Sequence, residues 1–146
     1  MARLRHFAMA VANTDETAKF YEQAFGLTRV RESTSAILLS DGVISLAILD
    51  NRTSHEALGE NGLHHFGVIA DDVDETAARA EQNGARYADK DENVAKRFVN
   101  RGQVDASGAL KAEARQQEQR KYVDPNGIKF DIVNDLHARN SWKLPL

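Results

Sequence analysis

The chain has 146 residues with 19 basic and 22 acidic side chains, a length that suits one folded domain and a net charge of -3 that provides no basic excess. We therefore expect no binding to nucleic acid or to an anionic membrane surface. Cysteine is absent from the sequence, so disulfides and thiolate ligands are excluded and any metal site would use histidine and carboxylate side chains. The N-terminal apolar stretch is short and broken, so we expect neither a signal peptide nor a membrane span, and predict a cytoplasmic protein.

The first half of the chain is predicted to fold as βαβββ. A strand is predicted at residues 4–11, where side chains alternate and both faces are apolar. A helix follows, since Asn13 and Glu16 have the spacing of a capping box and Gly26 ends an apolar stripe of helical period. Three short strands complete this half, the last two forming a hairpin: residues 27–32, 35–40 and 43–50.

The second half opens with a repeat of the first. Residues 63–82 align without a gap on residues 4–23, with nine identities in twenty positions where composition alone would give roughly one. The repeat predicts a second strand and a second helix, with Asp72 and Glu75 as the equivalent capping pair. The polar residues 51–62 are the predicted linker between the halves.

The rest of the second half contains two more predicted strands and a long polar segment. Residues 85–88 form a plausible strand, and a turn precedes an alternating strand at residues 128–133. Residues 89–121, rich in charged side chains and Gln, are a predicted insertion, either a short surface helix or a flap beside a site. The tail, residues 134–146, is expected to pack on the surface or on a partner subunit.

Three residues form the strongest chemical constellation. His6 in the first copy corresponds to His65 in the second, so a fold that packs the copies face to face brings the two imidazoles together. The alternation of the last strand places Asp131 with Lys129 and Val133, opposite the core-like face of Ile128, Phe130 and Ile132. In the second copy, His64 lies on the face opposite His65, in a structural or supporting role. Each residue alone also fits a structural role. Together, two neutral imidazoles and a carboxylate suit Fe²⁺ or Mn²⁺, with Zn²⁺ or Ni²⁺ as alternatives, and leave three coordination positions open.

The neighbours of these residues give further expectations. Small residues beside the two histidines, Ala8, Ala10 and Gly67, are predicted to leave room for a bound ligand. The remaining histidines, His55 and His137, are expected to face solvent.

The sequence resembles the vicinal oxygen chelate superfamily, which includes glyoxalase I, methylmalonyl-CoA epimerase, bleomycin- and fosfomycin-resistance proteins and extradiol ring-cleaving dioxygenases. The resemblance is carried by the duplication and by three segments: RHFAMAV at 5–11, GLHHFGV at 62–68 and DPNGIKFDIV at 124–133.

This resemblance implies an α+β fold in which two βαβββ modules form a partly open, barrel-like mixed sheet with the helices on the outside. The modules would cover residues of about 4–50 and 63–134 of one domain. Ligands in the superfamily come from the first strand of each module and from the last strands. His6, His65 and Asp131 fall on three of those positions.

The resemblance differs among branches of the superfamily. Glyoxalases and epimerases have a fourth ligand, Glu or Gln, on the last strand of the first module, where this chain has Leu46 or Ala47. A three-ligand set resembles that of the extradiol dioxygenases, which carry Glu in place of Asp131 and a Tyr three residues before the Asp-Pro turn. Here Lys121 occupies that place and Tyr122 follows it. Both are candidate catalytic residues, Lys121 for polar contact with substrate and Tyr122 as a proton donor or a core residue.

The resemblance therefore implies a metal-dependent, dioxygenase-like enzyme that binds a small substrate through vicinal oxygens. One alternative is a glyoxalase- or epimerase-like lyase or isomerase, in which a base moves a proton beside a carbonyl. The other is a metal-free protein that binds an antibiotic, as in bleomycin resistance, in an apolar and aromatic pocket between subunits. A homodimer is expected in each case.

Overall fold

The computed structural model describes residues 1–88, 106–107 and 117–146. The first half has the order βαβββ: β1 (Arg3–Val11), α1 (Thr14–Phe25), β2 (Thr28–Glu32), β3 (Ala36–Ser40) and β4 (Ser45–Asp50). The second half repeats it and adds a short helix: β5 (Gly62–Ile69), α2 (Val73–Gln82), β6 (Arg86–Tyr87), β7 (Gln119–Val123), β8 (Lys129–Val133) and α3 (Asp135–Ser141).

The predicted insertion at 89–121 ends too late in the sequence, because β7 begins at Gln119. The surface helix or flap predicted within that segment lies outside the described residues. Helix α3, in the tail, was not predicted.

All eight strands form one sheet in the order β2-β3-β4-β1-β5-β8-β7-β6. The first strands of the two halves, β1 and β5, are antiparallel neighbours at its centre, and each pairs in parallel with the last strand of its own half. The sheet is therefore mixed and pseudo-symmetric about the line between β1 and β5. This arrangement confirms the predicted α+β fold with an open, curled sheet.

Both long helices begin where the capping pattern predicts. The Asn13 side chain accepts a hydrogen bond from the Glu16 backbone N–H at 3.0 Å, and the Asp72 side chain accepts one from Glu75 at 2.9 Å. Gly26 ends α1 with φ 70°, a left-handed conformation that glycine adopts without steric cost.

The helices cover one face of the sheet, α1 on the first half and α2 on the second. Ala18 and Tyr21 pack α1 onto this face with Met9 and Val11 of β1, as the stripe predicts. Phe25, predicted to belong to the same stripe, is instead 66% exposed.

The opposite face carries the small side chains of the first half and the C-terminal tail. Ala8, Ala10 and their neighbours on β3 and β4 form one buried cluster there. The tail packs Trp142 and Leu144 into a second buried cluster, so it forms part of the core on this face of the sheet rather than lying on the surface. No helix in the described parts of the chain has the length and apolar character needed to cross a membrane.

Candidate active site

A cavity of about 550 Å³ opens on the sheet face that the helices leave uncovered. The first half contributes an apolar patch together with several polar side chains, and the second half contributes mainly polar side chains. The apolar patch is formed by Ala36, Leu38, Ala47 and Leu49, with Ser33 and Ser35 beside it. The linker contributes Glu56, and the second half contributes His65, Gln119, Lys121 and Asp131. Arg31, whose guanidinium donates to the Ser141 carbonyl at 3.3 Å, also lines this cavity.

The two repeat-related histidines meet at this cavity. In the β1–β5 register, His6 lies opposite Gly67 and His65 lies opposite Ala8, which places both imidazoles on the same face. Their ring centroids are 5.3 Å apart, and the residues are only 3% and 8% exposed. The duplication therefore brings the two imidazoles together, as predicted from the sequence.

Asp131 joins them from β8. Its Oδ2 lies 3.5 Å from His65 Nε2 and accepts a hydrogen bond from Gln119 Nε2 at 3.1 Å. Its Oδ1 is 3.0 Å from Lys121 Nζ, which places an ammonium directly against the carboxylate. The side chain is buried with these partners, so a carboxylate that no apolar core would accept is fully compensated.

Burial keeps both imidazoles neutral. Burial, together with the nearby His65, lowers the pKa of His6 to about 3. Burial also lowers the pKa of His65 to about 4, because the attraction of Asp131 is too weak to offset it. For Asp131, burial favours the neutral acid, but the positive charge of Lys121 outweighs burial and holds the pKa below its usual range.

These residues have the chemistry of a divalent metal site. Two neutral imidazoles and one ionised carboxylate are suitable donors, and His6 Nδ1 is buried with no hydrogen-bond partner in the described residues. Within those residues, no three His, Asp or Glu side chains already surround a common point. Lys121 Nζ lies against the Asp131 carboxylate, where a bound ion would have to take its place. The three donors fit a divalent ion if that ion displaces the Lys121 ammonium from the Asp131 carboxylate.

The comparisons with known proteins bear on this arrangement. Residues 3–132 match the model of the Glyoxalase/Bleomycin resistance protein/Dioxygenase superfamily. The chain belongs to this superfamily. No protein of curated function matches the sequence.

Solved structures share the fold at low sequence identity. A hypothetical protein of Bacillus halodurans C-125 is 14% identical with a TM-score of 0.59, covering 92% of this chain and 94% of its own. Methylmalonyl-CoA epimerase of Streptomyces coelicolor, in complex with 2-nitronate-propionyl-CoA, is 18% identical with a TM-score of 0.56, covering 90% and 96%. The Mn(II)-bound glyoxalase of Novosphingobium aromaticivorans is 18% identical with a TM-score of 0.61, covering 93% of this chain and 40% of its own.

The position of the fourth ligand in glyoxalase-like members of the superfamily carries no carboxylate here. On β4, the residue level with Ala8 is Ala47, just as Asp131 on β8 is level with Gly67. Because Ala8 and Gly67 are equivalent in the repeat, Ala47 is the counterpart of Asp131. Of these two equivalent strand positions, only the one in the second half holds a carboxylate.

Of the two predicted catalytic residues, only Lys121 lines the cavity. Tyr122 lies on the other face of β7, buried against α2, and its hydroxyl donates to Glu81 at 2.6 Å. Burial and this hydrogen bond raise the pKa of Tyr122. This position does not support contact between Tyr122 and a substrate in the cavity.

The space beside Gly67 is not free for a ligand, in contrast to the prediction. A Cβ at Gly67 would lie 2.6 Å from the Trp142 ring, and Trp142 stacks on His6 with centroids 4.4 Å apart and planes at 4°. His137, predicted to face solvent, is only 3% exposed and contacts the edge of the same indole. His55 is exposed as predicted, at the rim of the cavity.

Four residues of the site were missed from the sequence: Arg31, Glu56, Gln119 and Trp142. A signal existed for Gln119, which shares the strand face of Lys121 but fell inside the predicted insertion. Trp142 is the single Trp of the chain, and a lone large aromatic residue in a polar tail favours burial.

Proposed function

We propose that this protein is a metal-dependent enzyme in which His6, His65 and Asp131 hold a divalent ion, Fe²⁺ or Mn²⁺ in preference to Zn²⁺ or Ni²⁺. One observation carries the proposal: two neutral, buried imidazoles 5.3 Å apart share a cavity with an ionised carboxylate 3.5 Å from one of them. A site built only for stability would not need three such groups together, since each costs free energy to bury.

The bound ion supplies Lewis acidity and a template for two adjacent substrate oxygens. The chain itself contributes a binding surface that is part polar and part apolar. The patch of alanine and leucine side chains from the first half would accept the apolar part of a small substrate. Lys121, released from Asp131, would place its ammonium beside the substrate oxygens and stabilise negative charge there.

The missing carboxylate at Ala47 supports the dioxygenase-like branch for the reaction. Three protein donors leave room for a substrate bound through two oxygens and for one further small ligand. We infer a small substrate with vicinal oxygens, such as an aromatic vicinal diol, that is cleaved with consumption of O₂.

A second candidate is proton transfer of the epimerase or glyoxalase kind. It is favoured by Glu56, whose carboxylate lines the cavity 3.6 Å from Lys121 Nζ and could remove a proton beside a carbonyl. The fold shared with methylmalonyl-CoA epimerase supports trying CoA esters as substrates.

The metal is tested first, by elemental analysis of tag-free protein supplied with Fe²⁺, Mn²⁺, Ni²⁺ or Zn²⁺. We expect about one equivalent per chain, and less than about a tenth in His65→Ala. His55→Ala is the matched control, since this exposed rim histidine should leave occupancy unchanged. Less than about a tenth of an equivalent in the unaltered protein would refute the proposal and favour a metal-free binding protein.

The reaction class is tested on the loaded protein with two assays. The dioxygenase-like proposal predicts O₂ uptake with catechols, measured with an oxygen electrode. The epimerase-like candidate predicts no O₂ uptake but incorporation of solvent deuterium into a CoA ester such as methylmalonyl-CoA. Loss of the deuterium signal in Glu56→Gln would assign the base.

We also propose a homodimer, since twofold dimers are the commonest closed assemblies. Light scattering on the purified protein would give a mass of one chain if this is wrong.

A further inference from the structure

The neighbour of a proposed ligand, His64, occupies a β-bulge. The β1–β5 register passes from the pair Ala8–His65 to the pair Met9–Leu63, which leaves His64 as an extra residue on β5. Regular alternation would point the His64 and His65 side chains to opposite faces. The bulge instead lets the two rings meet, with their Nδ1 atoms 2.7 Å apart.

The other nitrogen of His64 faces two oxygens. Its Nε2 lies 2.7 Å from the Glu56 carbonyl oxygen and 2.8 Å from Glu60 Oε2. A backbone carbonyl and a carboxylate can only accept hydrogen bonds, so Nε2 must carry a proton. The imidazole of His64 is thus held in one orientation, with a side chain only 4% exposed.

A proton on His64 Nε2 decides the state of His65. In the neutral ring, His64 Nδ1 is unprotonated and accepts, so the 2.7 Å contact requires His65 Nδ1 to donate. Neutral His65 then has a bare lone pair on Nε2. That nitrogen is 3.5 Å from Asp131 Oδ2, longer than an N–H···O hydrogen bond to a carboxylate, as expected of two acceptors that face each other.

We propose that His64 is a positioning residue that, anchored by Glu56 and Glu60, fixes the tautomer of His65 so that its Nε2 lone pair faces Asp131 and is ready for a divalent cation. The role of that lone pair rests on the proposed function, whereas the tautomer itself does not. A lone pair and a carboxylate oxygen repel each other unless a cation lies between them. The hydrogen bonds from Glu56 and Glu60 through His64 to His65 therefore prepare the site before the ion binds.

The tautomers are tested directly on the metal-free, full-length protein by NMR with ¹⁵N-labelled histidine. We expect His65 protonated on Nδ1 and His64 protonated on Nε2. A proton on His65 Nε2, with His64 doubly protonated, would overturn the inference whatever the metal content. Conversely, the expected tautomers in a protein that binds no metal would refute the proposed function but would support the role of His64 in fixing the tautomer of His65.

A pair of variants tests the consequence for metal binding. His64→Leu removes the acceptor for His65 Nδ1 and should weaken Mn²⁺ binding about 10- to 100-fold by titration calorimetry. His64→Asn places an amide oxygen near the position of Nδ1 and should retain most of the affinity. Equal affinity in His64→Leu and the unaltered protein, or equal losses in both variants, would overturn the inference.

Discussion

At the residue scale, one contact makes glycine necessary at position 67. The Trp142 ring fills the space where a side chain would begin, with ring carbons 2.6 and 2.7 Å from an ideal Cβ and His6 Cβ at 3.1 Å. Since Trp142 stacks on His6, the same contact fixes the orientation of a proposed ligand. In the repeat, this residue is the counterpart of Ala8 in the first half.

Replacing Gly67 by alanine should therefore destabilise the protein by about 1–3 kcal/mol through overpacking, although Gly→Ala in a strand usually stabilises it. Urea denaturation measures the change. The control is the same substitution in a Trp142→Leu background, where the cost should be smaller because the two positions are coupled. Equal costs in both backgrounds would show that Trp142 does not occupy this space in solution.

The buried histidines also predict how stability depends on pH. The pKa of His6 falls from 6.5 to about 3, and that of His65 to about 4, so below pH 6.5 the unfolded state binds more protons than the folded one. The free energy of unfolding is therefore highest above pH 6.5, and it decreases as the pH falls from there toward the pKa values of the folded state. The lowered pKa of Asp131 adds to this loss only below its ordinary value of 3.8, at more acidic pH.

Between pH 7 and pH 5, the metal-free protein should lose about 2 kcal/mol of unfolding free energy for each buried histidine. Denaturation curves at the two pH values test this. In His6→Gln, stability at pH 7 falls, but the further loss down to pH 5 should be smaller by about 2 kcal/mol. An unchanged pH dependence in this variant would mean that His6 is not held neutral by burial.

At the element scale, the pairing of β7 with β8 places an ammonium where an ion would bind. Lys121 lies opposite Asp131 in the register, and its Nζ contacts both carboxylate oxygens, at 3.0 and 3.4 Å. Removing this competing cation in Lys121→Met should tighten Mn²⁺ binding about tenfold, or by about 1.4 kcal/mol. Weaker binding in this variant would mean that Lys121 supports the ligand set rather than competing for it.

The neighbouring Tyr122 provides a matched control for that titration. It belongs to the same strand but points to the α2 side, where its hydroxyl meets Glu81. Tyr122→Phe should leave Mn²⁺ affinity unchanged while costing about 1 kcal/mol of stability for the lost hydrogen bond. A change in Mn²⁺ affinity in Tyr122→Phe would instead show that the two faces of the sheet are energetically coupled.

Most elements could be predicted because their signals are local. Alternation and capping located β1, α1, β5 and α2, and the repeat alone indicated that His6 and His65 would meet. The bulge at His64 could not be predicted, because it depends on how β1 and β5 pair rather than on either strand alone. The docking of Trp142 also depends on a tertiary contact, in this case with Gly67.

At the scale of the whole molecule, the two imidazoles come from equivalent positions of the repeat, whereas the carboxylate has no counterpart in the first half. Asp131 and Ala47 are equivalent positions, so two of the three proposed donors, His65 and Asp131, come from the second half and only His6 from the first. The first half also offers the alanine- and leucine-lined patch of the cavity. A substrate would therefore bind between the donors and the apolar patch of the first half, with Lys121 close to its oxygens.

The central claim is that one ion binds to His6, His65 and Asp131, and a crystal soaked in Mn²⁺ tests it most directly. Anomalous scattering should reveal a single strong peak within bonding distance of all three side chains. His65 should bind the ion through Nε2, and Lys121 Nζ should be displaced from Asp131. No peak between these residues, with the ammonium still on the carboxylate, would contradict the account.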